Sequence, residues 1–220
     1  MKQARYQAVL FDLDGTLLDT APDFVTAINP LLAARNLPPL EEPQVRLAVT
    51  HGSAGLITTA FGLAAEDPDF EPLRQALLTN YRRCLADRTR PFPGMTEVLE
   101  ARAAAGIPWG IVTNKPHEYT AAIVARLSWP EPPHAVVCPD HVSRTKPDPE
   151  PVLLACSQLD VAPPLTLVVG DHLRDIESGR RAGAVTVAAS YGYLDAGEDA
   201  ANWAAAHMID RADQLLDILF

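Results

Sequence analysis

The sequence predicts an α/β fold, a doubly wound parallel sheet carrying a helical insertion. Three observations support this. Five short runs are continuously apolar, as strands covered on both faces of a parallel sheet should be. Helical patterns stand between them, and one long segment near the N-terminus breaks the alternation.

Residues Ala8–Phe11 form the first run, and Asp12 and Asp14 follow within "VLFDLDGTLLDT". Two carboxylates one residue apart repel each other, so a cation is expected beside them. Gly15 and Thr16 then turn the chain. From Leu17 to about Arg90 no comparable run occurs, only helical patterns punctuated by Pro38, Pro39, Pro43, Pro68 and Pro72. "RPFPG" (90–94) is the rigid turn back. The expected organisation is a core of residues 1–16 and 91–220 with a helical insertion of 17–90. The insertion lies at the carboxyl end of the sheet, where α/β proteins keep their ligands.

Beyond it, helical patterns at 94–106, 116–127, 148–159 and 173–183 alternate with apolar runs at 109–113, 135–138, 165–170 and 184–190. Gly106 and Gly183 stand where a C-cap glycine belongs, and Pro116 and Pro149 where a first-turn proline belongs. The tail "RADQLLDILF" (211–220) reads as a last helix closing the core.

A hydrophobic fraction of 48% in 220 residues is ample for one large core and excludes a disordered chain. A net charge of −10 argues against a nucleic-acid surface. No apolar stretch approaches the ~20 residues of a membrane span, and "MKQARYQAVLF" enters the first strand without a leader pattern. Cys84, Cys138 and Cys156 show no CxxC spacing and fit a reduced, cytoplasmic setting, Cys138 and Cys156 as small buried hydrophobes. No obligate protein partner is legible.

The strand ends collect a chemical set: Asp12 and Asp14 after the first, Thr113 and Asn114 after the second, Lys146 in "RTKPDPEP", and Asp171 and Asp175 in "GDHLRD". Strand carboxyl ends of a parallel sheet converge, so these residues should meet. Oxygen ligands so crowded suit Mg²⁺. A calcium loop fails on spacing, because Leu17 stands where that loop needs glycine and Asp23 where it prefers glutamate.

In "DLDGT", "VTN", "KPDP" and "GDHLRD", in that order, the chain resembles the haloacid dehalogenase-like hydrolases along essentially its whole length. The insertion looks like that family's helical cap of the first type. The resemblance implies Asp12 as nucleophile and Asp14 as general acid/base. It also implies a Mg²⁺ held by Asp12, Asp14 (through its carbonyl) and Asp171. Lys146 would neutralise the phosphoryl group, Thr113 and the Asn114 backbone would hold its oxygens, and Asp175 would orient the shell or the lysine. Crowded carboxylates titrate as a set, so one retained proton is expected among them. His172 replaces a position often small or acidic in relatives, and reads as supporting or solvent-facing, since Mg²⁺ prefers oxygen.

Dehalogenating relatives lack the second Asp, and phosphonate-cleaving ones need a cap lysine, whereas the lysines here are Lys2, Lys115 and Lys146. A phosphomonoester hydrolase acting on a small phosphorylated metabolite is the expectation. A β-phosphoglucomutase-like mutase and a non-enzymatic phospho-receiver are the alternatives. "VTNKP", "KPDPEPVLLAC" and "YGY" (191–193) look like the phosphoglycolate phosphatase branch. "CPDHV", "GDHLRDIESGRRAG" and "LLDTAPDF" look more like the N-acetylmuramic acid 6-phosphate phosphatases of cell-wall recycling. Specificity is expected in the loop "THGSAG" (50–55). There Gly52 and Gly55 permit close approach, Ser53 offers a hydroxyl, and His51 faces substrate or serves structure. Arg46 or Arg74 is a candidate for a substrate carboxylate.

Overall fold

The computed structural model describes residues 4–220, so Lys2 lies outside them. The chain forms two compact units, Met1–Leu18 with Pro91–Phe220, and Asp19–Arg90. β1 (Ala8–Phe11) opens the first, and β2 (Leu18–Asp19) leads out of it. The second unit holds α1 (Ala21–Ala33), α2 (Glu42–Val49), α3 (Gly52–Phe61) and α4 (Phe70–Cys84). The chain returns through β3 (Arg90–Pro91), which forms a two-stranded ribbon with β2.

The alternation then runs α5 (Met95–Ala104), β4 (Trp109–Val112), α6 (His117–Arg126), β5 (Ala135–Val137), α7 (Glu150–Leu159) and β6 (Thr166–Gly170). It continues through α8 (Leu173–Ala182), β7 (Val185–Ala189), β8 (His207–Ile209) and α9 (Leu215–Leu219). Three expectations need correction. The tail is helical over α9 alone, after a short 3₁₀ turn. A sixth strand, β8, went unforeseen because "HMI" is too short and too polar on one side to read as a buried run. Leu17 and Leu18 belong with the first unit. There Leu17 N–H bonds the Asp12 carbonyl and Leu18 N–H the Leu13 carbonyl, folding the turn back on the end of β1.

The sheet order is β5-β4-β1-β6-β7-β8, parallel throughout. The chain builds outward from β1 on one side, then returns to build outward on the other. β1 therefore lies at the topological switch point, where neighbouring loops diverge and leave a crevice. Its residues alternate between two covered faces. Ala8 and Leu10 pack with Val112, Val137 and Val168 against Val152, Ala155, Cys156 and Leu159. Elsewhere in the sheet, the Phe11 ring meets Trp109 edge-on at 6.1 Å, and the Arg102 guanidinium lies over Trp109 at 5.4 Å. All three cysteines are buried and unpaired. Among the described residues no helix is long and apolar enough to cross a membrane.

Candidate active site

Register decides what meets. Phe11 pairs with Ile111 on one side and Val169 on the other, so Asp12 is level with Val112 and Gly170, one residue short of Thr113 and Asp171. Asp12 N–H bonds the Val169 carbonyl at 2.9 Å, extending the ladder by one residue. Beyond that point the chain leaves the strand and turns, and Asp12 and Asp14 go to different partners.

Asp12 is buried beside Lys146, whose Nζ lies 2.9 Å from Asp12 Oδ1 and 2.7 Å from Asp175 Oδ1. The same Nζ donates to the Val112 carbonyl at 2.6 Å. The carbonyl is its hydrogen-bond acceptor, and the two carboxylates are its ion-pair partners. Burial alone would push the Asp12 carboxyl up. The charges of Lys146 and Arg174, with the Lys146 and Leu13 hydrogen bonds, outweigh it and hold Asp12 below the usual range. Burial likewise opposes the Lys146 charge, yet Asp12 and Asp175 push the lysine up.

Asp171 is different. Burial, then the charges of Asp12 and Asp175, push it well above the ordinary carboxylate range. The Thr16 hydroxyl (2.6 Å to Oδ1) and Tyr193 N–H (2.8 Å to Oδ2) only partly oppose this. Burial also raises Asp175, despite Lys146. One ligand oxygen from each of Asp12, Asp171 and Asp175 lies within 4.8 Å of the others, all three residues buried. An all-oxygen acidic set of this kind fits a hard divalent cation, whose charge would relieve the repulsion that raises Asp171. Gly15 makes room for it: its φ of +89° suits glycine, and a Cβ there would collide with the Asp171 carboxylate.

Asp14 turns instead to Lys115, Nζ to Oδ1 2.8 Å, with both side chains largely buried. Sequence reasoning gave Lys115 no role. Its place directly after "VTN", at the end of β4, was the available signal. Thr113 is buried, and its Oγ1 accepts from Lys115 N–H at 3.2 Å, leaving the hydroxyl proton to donate elsewhere. The Asn114 amide donates to the Lys146 carbonyl at 3.1 Å and so joins two of the motif loops.

A family model described as haloacid dehalogenase-like hydrolase matches residues 9–189, spanning every motif residue from Asp12 to Asp175. The chain is a haloacid dehalogenase-like hydrolase. It is 49% identical over 219 residues to the N-acetylmuramic acid 6-phosphate phosphatase of Pseudomonas aeruginosa, covering 100% of this chain and 97% of that one. It is 36% identical over 209 residues to a phosphoglycolate phosphatase of Xanthomonas campestris, covering 95% and 94%. Among solved structures, a Haemophilus somnus protein described as a predicted phosphoglycolate phosphatase superposes with a TM-score of 0.84. It is 26% identical, with 99% of each chain covered. These relatives are phosphatases, and this hydrolase is an enzyme of their family.

Other motif residues of the hydrolase serve as supports. His172 caps α8, its Nδ1 accepting from Arg174 N–H at 3.1 Å, while Asp175 Oδ2 accepts from His172 N–H at 3.1 Å. "YGY" lies against the site. Besides the Tyr193 amide on Asp171, the buried Tyr191 hydroxyl donates to the Thr16 carbonyl at 3.0 Å. Burial, followed by the Asp171 charge, pushes the Tyr191 phenol up.

In the second unit "THGSAG" is not a loop beyond its start. Gly52 (φ +66°) opens α3 in open space, and Gly55 lies inside that helix. A Cβ at Gly55 would come 2.7 Å from the Ala48 carbonyl and 2.5 Å from His51 Cβ, so its smallness serves packing inside the unit. Ser53 Oγ accepts from Arg74 at 3.4 Å. Arg74 clasps Glu71 at 2.7 and 2.9 Å, holding that carboxyl down to about 2. Arg46 lies 2.6 Å from Asp19 and 2.7 Å from Glu42.

A second grouping, His117, Cys138 and His141, also brings three ligand atoms within 4.8 Å. His141 Nδ1 accepts from Cys138 N–H at 3.2 Å, which places the neutral ring's proton on Nε2 and leaves no lone pair for a metal.

Proposed function

We propose that this hydrolase is a Mg²⁺-dependent phosphomonoesterase working through an aspartyl-phosphate on Asp12, with N-acetylmuramic acid 6-phosphate as substrate. The Lys146–Asp12 pair supports the mechanistic part most directly. It keeps Asp12 ionised in a buried place, as an attacking carboxylate requires. Asp12, Asp171 and the Asp14 carbonyl would hold the ion, which would supply neutralisation of phosphoryl charge.

The chain's own groups do the rest. An Asp12 oxygen attacks phosphorus and the bond from phosphorus to the ester oxygen breaks. Asp14 leaves Lys115, takes up a proton from solvent and gives it to that oxygen. Water then attacks the phosphoaspartate, Asp14 takes a proton back, and phosphate leaves with the Asp12 carboxylate restored. The Thr113 hydroxyl and the Asn114 N–H hold phosphoryl oxygens, and Asp175 fixes Lys146.

The substrate assignment rests on the 49% identity along the full chain. A second reading, phosphoglycolate, rests on the 36% relative. The test is kcat/KM on both compounds, with glucose 6-phosphate and β-glucose 1-phosphate beside them. N-acetylmuramic acid 6-phosphate should be preferred. A preference for phosphoglycolate overturns the substrate and leaves the Asp12 chemistry standing, and turnover of β-glucose 1-phosphate to the 6-phosphate would mark a mutase. Activity should vanish on chelation and return with Mg²⁺.

A further inference from the structure

Among the cationic side chains of the motif loops at the carboxyl edge, Lys146 and Lys115 are committed. Lys146 is ion-paired with Asp12 and Asp175 and donates to the Val112 carbonyl. Lys115 is paired with Asp14. Arg174 is not committed: its Nε is buried without a hydrogen-bond partner, and among the described residues no carboxylate forms an ion pair with its guanidinium. A buried unmatched donor costs about 1–3 kcal/mol, so an arginine held this way calls for an explanation.

Its position supplies one. Arg174 is the second residue of α8, half-buried, and a side chain in the first helical turn leans back toward the helix N-terminus. That end follows Asp171 directly. Arg174 is near enough for its charge to act on both Asp12 and Asp175. Its backbone is pinned by the His172 cap, so the side chain starts from a fixed root. A planar fork of donors matches the oxygens of a phosphoryl group better than a point charge does.

We propose that Arg174 is a phosphoryl-binding residue, its guanidinium donating to non-bridging oxygens of the group transferred to Asp12. The assignment deepens the phosphatase reading and rests on it, but not on which ester is the natural substrate. It also divides the labour: Lys146 keeps the nucleophile ionised and Arg174 receives the incoming charge.

The test uses the full chain with Mg²⁺ and three probes: p-nitrophenyl phosphate, phosphoglycolate, and orthovanadate as a phosphoryl mimic measured by calorimetry. Arg174→Ala should lower kcat/KM by about 10²–10³, and by similar factors on both esters. It should weaken vanadate binding comparably without shifting the melting temperature. Arg174→Lys should restore part of both. A loss confined to phosphoglycolate would assign the guanidinium to the substrate carboxylate and overturn the proposal. Unchanged vanadate affinity in Arg174→Ala would overturn it as well, and so would a vanadate loss accompanied by a matching fall in melting temperature that Arg174→Lys does not repair. Vanadate binding is read without turnover. The substrate assignment can therefore fail while Arg174 stands, and the reverse holds too.

Discussion

The carboxyl edge of the sheet and the helices of the second unit are both rich in charge, but they hold it differently. At the edge, charges come from segments up to 163 residues apart, Asp12 and Asp175 meeting on Lys146. In the second unit Arg74 pairs with Glu71 at i,i+3 and Arg46 with Glu42 at i,i+4, and Arg46 also reaches Asp19, 27 residues away, all of them partly exposed. Such local pairs are ordinary helix surface, each contributing a few tenths of a kcal/mol. Long-range convergence of three buried carboxylates opposes folding, and one of them is pushed far from its ordinary titration range. Charge gathered against the interest of stability marks the working part of the molecule.

Substitutions can break or sharpen this contrast. Asp12→Asn should have the largest effect, lowering turnover by at least ~10³-fold while the melting curve keeps its cooperativity. Substantial phosphate release by the folded variant would sink the nucleophile assignment. Asp14→Asn should cost about 10²–10⁴ with poor leaving groups and much less with p-nitrophenol. A uniform loss across a leaving-group series would deny Asp14 its acid role.

Stability effects come next. In the second unit Asp23 is buried and accepts from Arg88 N–H, Thr89 N–H and the Thr89 hydroxyl at 2.7, 3.3 and 2.6 Å. Asp23→Ala should therefore cost about 1–3 kcal/mol in urea unfolding. Asp171→Asn should move the other way. With chelator present at neutral pH it removes a carboxylate that is costly to ionise, so stability should rise by on the order of 1 kcal/mol while activity is lost. The sign follows from the raised folded-state titration of Asp171: it disfavours the folded state progressively as pH rises above the ordinary carboxylate value. Arg46→Ala should be smallest, within ~1 kcal/mol on denaturant curves, because its pairs are partly exposed.

Much of this was legible in the sequence, for identifiable reasons. Continuous apolar runs located β1, β4, β5, β6 and β7 because a doubly covered strand leaves no choice of polarity. Asp12, Lys146, Asp171 and Asp175 could be grouped because parallel strand ends converge whatever the side chains do. What escaped depends on side-chain direction. Lys115 adjoins a recognised motif and Arg174 lies inside one, yet nothing in their spacing says whether they turn toward the site or away. His172 reads as supporting or solvent-facing until its ring is seen accepting the Arg174 amide. Gly55 suggests an open loop until the neighbouring helix explains why no side chain fits.

The outermost strands of the sheet, β5 and β8, are three residues each. An exposed strand edge is a template on which another chain can add a strand, and its grip grows with the length of the unpaired backbone. Three residues offer too few contacts to hold a visitor in register. Between them the sheet gathers four longer strands whose ladders are satisfied on both sides. An enzyme that keeps its apolar strands in the middle and tapers at both margins can be made in quantity with little tendency for copies to zip together edge to edge.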